Sequence, residues 1–173
     1  MADLFAASSA VISECGKYRY ELRRQWSEDR ALDIIMLNPS TADADVDDPT
    51  IRRCIGFAKR EGFGGIRVMN LFAYRASSPA DMLEQGWAAV GAGNDALLQE
   101  MLREAARAKS PVLAAWGAHG IHGMAKRVQQ LARHYGARLV CLGKTNGGHP
   151  RHPLYVKRDQ PFAALSPDGD GHE

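Results

Sequence analysis

The chain has little of what usually declares a compartment or a cofactor. Its three cysteines, Cys15, Cys54 and Cys141, are odd in number and far apart, which argues for reduced thiols and against a disulfide framework. There is no CxxC pair for zinc or an iron–sulfur cluster. No run approaches the roughly 18 apolar residues that cross a bilayer, and the first residues lack a basic segment ahead of an apolar one and a cleavage site. A soluble, cytoplasmic protein with no membrane partner is therefore expected. The net charge of +2 neither announces nor rules out nucleic acid, so any phosphate contact must come from a local basic patch. The glycine runs at 62–65 and 143–148 match neither the P-loop nor the dinucleotide fingerprint, so no cofactor is expected.

What is present is one domain's worth of ordinary globular sequence. With 173 residues and a 45% hydrophobic fraction, the chain can build a core. We expect a single α/β domain over residues 1–163 and a flexible C-terminal tail at 164–173, where Pro, Asp and Gly accumulate. Residues 7–26 predict a hairpin, with Tyr18, Tyr20 and Leu22 alternating against Arg19, Glu21 and Arg23, as an antiparallel edge of the main sheet.

The apolar, β-branched run Leu32 to Leu37 predicts a buried strand, and it breaks into Asn38-Pro39-Ser40-Thr41, which no strand continues. Asp48 then caps a helix with Pro49 at its first position and Ile51, Cys54, Ile55 and Ala58 on one face. Ile66 to Met69 is the next strand, ending in Asn70-Leu71-Phe72-Ala73-Tyr74-Arg75. Asn94 is expected to cap a helix that turns Leu97, Leu98, Met101, Leu102 and Ala105 inward. Val112 to Trp116 follows as a strand, then a helix from about Gly123 to His134 with Met124, Val128 and Leu131 inward. Arg138 to Leu142 is the fourth strand. Alternating strands and helices predict βαβ units: a three-layer sandwich with a central, mainly parallel four-stranded sheet flanked by helices.

In a parallel sheet the strand tips share one edge, and ligands bind at the carboxyl ends. Four tips thus deliver Asn38, Pro39, Ser40 and Asp43; Asn70, Phe72, Tyr74 and Arg75; Trp116 and His119; and His149, Arg151 and His152. Each also has a plainer reading. Asn38 before Pro39 can simply cap a turn. Asp43, Asp45, Asp47 and Asp48 resemble a divalent-cation cluster but lack the glycine and final glutamate of an EF-hand loop, and read first as a solvated turn that caps the helix. Asn70 is either a turn residue or a reader of an amide or imide edge. Trp116 reads as core or pocket wall before stacking platform, and His119 and His122 as surface residues. Two His-Pro dipeptides flank Arg151, and prolines stiffen the backbone around side chains able to donate to an anion.

Four segments carry a resemblance: Leu37 to Asp43, Asp48-Pro49-Thr50-Ile51-Arg52-Arg53-Cys54, Asn70 to Arg75, and Pro150-Arg151-His152-Pro153-Leu154-Tyr155. Together they resemble an uncharacterised bacterial and phage family, the domain of unknown function numbered 1643. More distantly, the order of motifs is similar to the uracil-DNA glycosylase superfamily. In its mismatch-specific branch a Gly-Ile-Asn-Pro-Gly motif positions the attacking water, and Leu37-Asn38-Pro39-Ser40 is similar, with leucine and serine in place of the two glycines. Met69-Asn70-Leu71 resembles the strand end that reads the base, and Ala115-Trp116-Gly117 a Leu-Trp-Gly segment. The terminal His-Pro-Ser-Pro-Leu motif, whose histidine serves the departing base, has its counterpart in residues 149–154, where His152 is the favoured match beside His149. The cysteines of the iron–sulfur branch are absent.

The resemblance implies a glycosylase-like enzyme acting on a nucleobase in DNA or a nucleotide. Asn38 and His152 would be catalytic, and Pro39, Ser40, Asn70, Phe72, Tyr74 and His149 would contact the substrate. Arg52, Arg53, Lys144 and Arg151 are the candidate phosphate contacts. The alternatives are a non-catalytic nucleotide or modified-base binder of the same fold and a metal-dependent nucleotide hydrolase using Asp43, Asp47 and Asp48.

Overall fold

The computed structural model describes residues 7–40, 45–119 and 122–165. Thr41 and Asp43 lie outside that range, as do residues 166–173 of the expected tail. The architecture is α/β. The strands are β1 (Ala7–Ile12), β2 (Arg19–Gln25), β3 (Ala31–Met36), β4 (Gly65–Asn70), β5 (Val112–Ala114), β6 (Leu139–Cys141) and β7 (Ala163–Ala164). The helices are α1 (Pro49–Arg60), α2 (Pro79–Leu83), α3 (Asn94–Arg107) and α4 (His122–Tyr135).

The sheet is wider than expected: seven strands in the order β1-β2-β4-β3-β5-β6-β7. β4 and β5 both run parallel to β3, and β6 runs parallel to β5. The hairpin β1–β2 joins β4 antiparallel, and β7 closes the other side antiparallel to β6. Ala164, expected to open the tail, instead pairs with Val140, and Leu165 is buried beyond it. The edge of β6 gives these backbone groups partners that a frayed tail lacks.

Alternation along the strands splits the core in two. Leu32, Ile34 and Met36 of β3 face α1 with Ile66, Val68, Ile51, Cys54 and Phe57. Ile35, Leu37, Met69, Val112 and Ala114 belong to the other cluster, with Met101 and Leu102 of α3 and Val128 of α4. The helical periodicity misses at Leu97, which is 42% exposed, and at Leu131, which only packs against the cluster's margin.

One charged group interrupts this core. Asp33 of β3 and Arg67 of β4 are register partners, with Arg67 Nε donating to Asp33 Oδ1 at 2.6 Å and Nη1 to Glu104 of α3 at 2.6 Å. Burial pulls the Arg67 pKa down, but the bonds to Asp33 and Glu104 outweigh it and hold the guanidinium above its ordinary value. The three residues fasten α3 to the sheet.

Candidate functional site

The chain's strand tips open on a cleft of about 900 Å³, large enough for a drug-sized ligand. Its wall comes from the segment after β3, the end of β4 and residues 76–79, the segment after β5, the loop and turn at 145–155, and the first turn of α1. Among the described residues that line it are Asn38, Ser40, Asn70, His149, Arg151 and His152, so these expected site residues do come together. The others stand elsewhere. Phe72 is 4% exposed within the core, Tyr74 packs edge-to-face on Tyr18 at 5.7 Å, and buried Pro39 uses its carbonyl to accept from Asn38 and the Ala76 N–H. Arg52 is exposed and outside the lining. Arg53 donates to the carbonyls of Pro153 and Val156 and lies over Phe57, so it fastens the 153–155 turn to α1. Lys144 accepts through its carbonyl from Arg151 Nε at 3.1 Å.

Asn38 follows directly on β3. Its Nδ2 donates to the carbonyls of Pro39 and Ala76, both at 3.2 Å. Because carbonyls only accept, the amide is oriented, and Oδ1 is left as an acceptor without a partner among the described residues. Ser40 donates from Oγ to Asp48 Oδ2 at 2.6 Å, while Asp48 Oδ1 accepts from the Ile51 N–H at 2.8 Å. Asp48 therefore caps α1 and is the one carboxylate among the described lining residues. Asp47 pairs with Arg24 at 2.8 Å, and no group of three or more potential metal ligands occurs among the described residues. The turn-capping reading of the acidic stretch is the one these bonds express.

Asn70 ends β4 with 2% of its surface exposed. Asn94, expected to cap α3, sits inside the helix behind Gly93. Its Nδ2 donates to the Asn70 and Leu71 carbonyls at 3.0 and 3.2 Å. That brace fixes the backbone from which the Asn70 side chain reaches the cleft. The Asn70 carboxamide itself has no hydrogen-bond partner among the described residues, although buried amides are almost always paired. A donor and an acceptor side by side are left for a ligand.

His152 stands at the opposite wall, before the 3-10 turn at Pro153–Tyr155, and its Nδ1 accepts from the Leu154 N–H at 3.2 Å. The proton of the neutral ring is therefore on Nε2. Burial pushes its pKa down, with Asp48 opposing and His119 reinforcing the shift. A neutral His152 donates from Nε2 without carrying charge. A long-range ¹H–¹⁵N spectrum is expected to show the Nε2–H tautomer with a midpoint below the ordinary 6.5. Since the unfolded ring binds its proton more readily, His152 favours the folded state fully above the ordinary value, and that contribution falls as pH drops below it. A midpoint at or above the ordinary value refutes this assignment.

Two lining residues carry no local sequence signal. Arg19 is only 3% exposed, although the alternation in β2 puts it on the charged side. Antiparallel pairing with β4 brings the start of β2 to the carboxyl edge of the parallel strands. Trp116, 3% exposed, is both core and cleft wall.

The fold and cleft define a mixed-sheet α/β protein whose polar site lies at the carboxyl ends of its parallel strands. Residues 19–154 match the family described as Protein of unknown function (DUF1643), and the chain belongs to that family. No curated protein and no solved structure matches it.

Proposed function

We propose that the cleft receives a nucleobase and that the chain hydrolyses its N-glycosidic bond, in the manner of the uracil-DNA glycosylase superfamily it distantly resembles. The observation that carries the reading is the buried, unpartnered Asn70 carboxamide in a cleft shared with Asn38 and His152. An amide reads the paired donor and acceptor of a base edge. In the proposed reaction water attacks the sugar's anomeric carbon as the carbon–nitrogen bond breaks and its electron pair leaves with the base. Asn38 Oδ1 holds the water by accepting one of its protons in a hydrogen bond. Asp48 balances the positive charge that builds on the sugar and takes the proton that the water loses. His152 Nε2–H stabilises the anionic base.

The test is release of free base from single-stranded and mismatched oligonucleotides containing uracil, xanthine or modified pyrimidines. We expect release, and expect Asn38→Ala to slow it about 10²–10³-fold. No release and no abasic sites across the panel would overturn the enzymatic reading. A base binder without chemistry is the second reading, favoured by the commitment of Asn38 Nδ2 to two backbone carbonyls. In that case the chain binds a base, and Asn38→Ala has no turnover to remove.

A further inference from the structure

We infer that Arg19 anchors a second subsite in this cleft, one that takes the phosphate group of a nucleotide. The candidate phosphate contacts expected from the sequence do not supply such a site inside the cleft. Arg52, Arg53 and Lys144 are absent from its lining, and Arg151 is an exposed residue on the rim. Arg19 is the buried cation of the wall.

Burying a guanidinium is costly unless opposite charge accompanies it. Among the described residues, the charges close enough to act on Arg19 are two guanidiniums, Arg75 and Arg24, and one carboxylate, Asp48. Both oxygens of Asp48 already accept hydrogen bonds, from the Ile51 N–H and from Ser40, and Arg24 is paired with Asp47. Burial, joined by repulsion from Arg75 and Arg24 and opposed by Asp48, lowers the Arg19 pKa to about 10. At neutral pH the group remains cationic, in surroundings that favour an added negative charge.

The position is held by backbone rather than by mobile side chains. The Arg19 N–H donates to the Ala73 carbonyl and the Arg75 N–H to the Lys17 carbonyl, both at 2.9 Å. Tyr18 and Tyr74 form a bridge between the same two segments. Arg75 also donates from Nη1 to the Gly16 carbonyl. Arg19 thus stands one strand beyond Asn70, and three strand intervals, about 14 Å at ~4.8 Å each, separate β2 from β5 below the His152 wall. A base held by Asn70 would place its sugar and phosphate along this row. The nucleotide part of the inference rests on the proposed base-binding reading; the anion part does not. Guanidinium forks suit phosphate oxygens, which accept two N–H bonds at once.

Phosphate binding is measured first with inorganic phosphate by calorimetry on the full chain. Then deoxyuridine, deoxyuridine 5′-monophosphate and an oligodeoxythymidylate are compared. We expect phosphate to bind and Arg19→Gln to weaken it about tenfold or more, with Arg19→Lys intermediate and the exposed Arg138→Gln unchanged. The monophosphate should bind more tightly than the nucleoside, and Arg19→Gln should abolish that difference. If the oligomer shares the advantage, the subsite accepts a backbone diester; if only the monophosphate does, it takes a terminal phosphate. Absence of phosphate binding, or its loss in Arg151→Gln but not in Arg19→Gln, overturns the inference. Arg19-dependent phosphate binding with no contribution from the base would instead leave the subsite standing and remove the nucleobase reading.

Discussion

Replacing Asp33 by alanine is expected to lower unfolding stability by about 3–5 kcal/mol, measured from urea denaturation. Asp33 is 2% exposed and Arg67 9%, so the substitution strands a guanidinium between sheet and helix. Deleting the other partner is expected to cost far less. Glu104 is 41% exposed, and water can replace it, so Glu104→Ala should change stability by about 1 kcal/mol or less. The double variant Asp33→Leu/Arg67→Met removes both buried charges and should recover most of the loss, because the penalty belongs to the orphaned charge rather than to the missing bond. A fall of less than about 1 kcal/mol in Asp33→Ala would show that water reaches Arg67 and that the group is not a buried fastening.

Asn70→Leu should separate folding from recognition. Leucine is close in size to asparagine, and the side chain that it replaces forms no hydrogen bond among the described residues. Its backbone carbonyl keeps the bond from Asn94. Stability is therefore expected to stay level or rise by about 1 kcal/mol, since an unsatisfied buried amide disappears. Affinity for deoxyuridine 5′-monophosphate is expected to fall about a hundredfold or more, because a polar edge would meet an apolar wall. A variant more stable than the native chain yet unable to bind is the signature of a residue kept for a ligand. A stability loss above about 1 kcal/mol, with binding unchanged, would instead make Asn70 a structural residue.

Local chemistry was legible where a segment and its partner are neighbours in sequence. Asp48 and Pro49 specify the start of α1 within four residues, and the observed cap is that one. The break after β3 is equally local, since Pro39 cannot continue a strand. Arg19 was hidden for the opposite reason. Its alternation with Tyr18 and Tyr20 describes a two-sided hairpin, and only pairing with a strand more than 40 residues away turns it into a cleft wall. Arg53 has partners 100 and 103 residues on, so an exposed-looking basic pair on α1 gives no hint of them. Phe72 lies beside a polar strand tip, yet the chain has already turned it into the core, where its ring joins Met69 and Leu71. Ala163 and Ala164 carry no strand propensity of note; the open edge of β6 recruits them.

Arg53 has a consequence of its own. By fastening the carbonyls of Pro153 and Val156 to α1, it joins the turn after His152 to the same helix whose first turn Asp48 and Ser40 secure. The two walls of the cleft that carry these groups therefore share one chassis. A displacement of α1 would move Asp48 and His152 in concert, preserving their spacing while changing their distance from Asn70, so the aperture of the cleft is governed by a helix rather than by its loops.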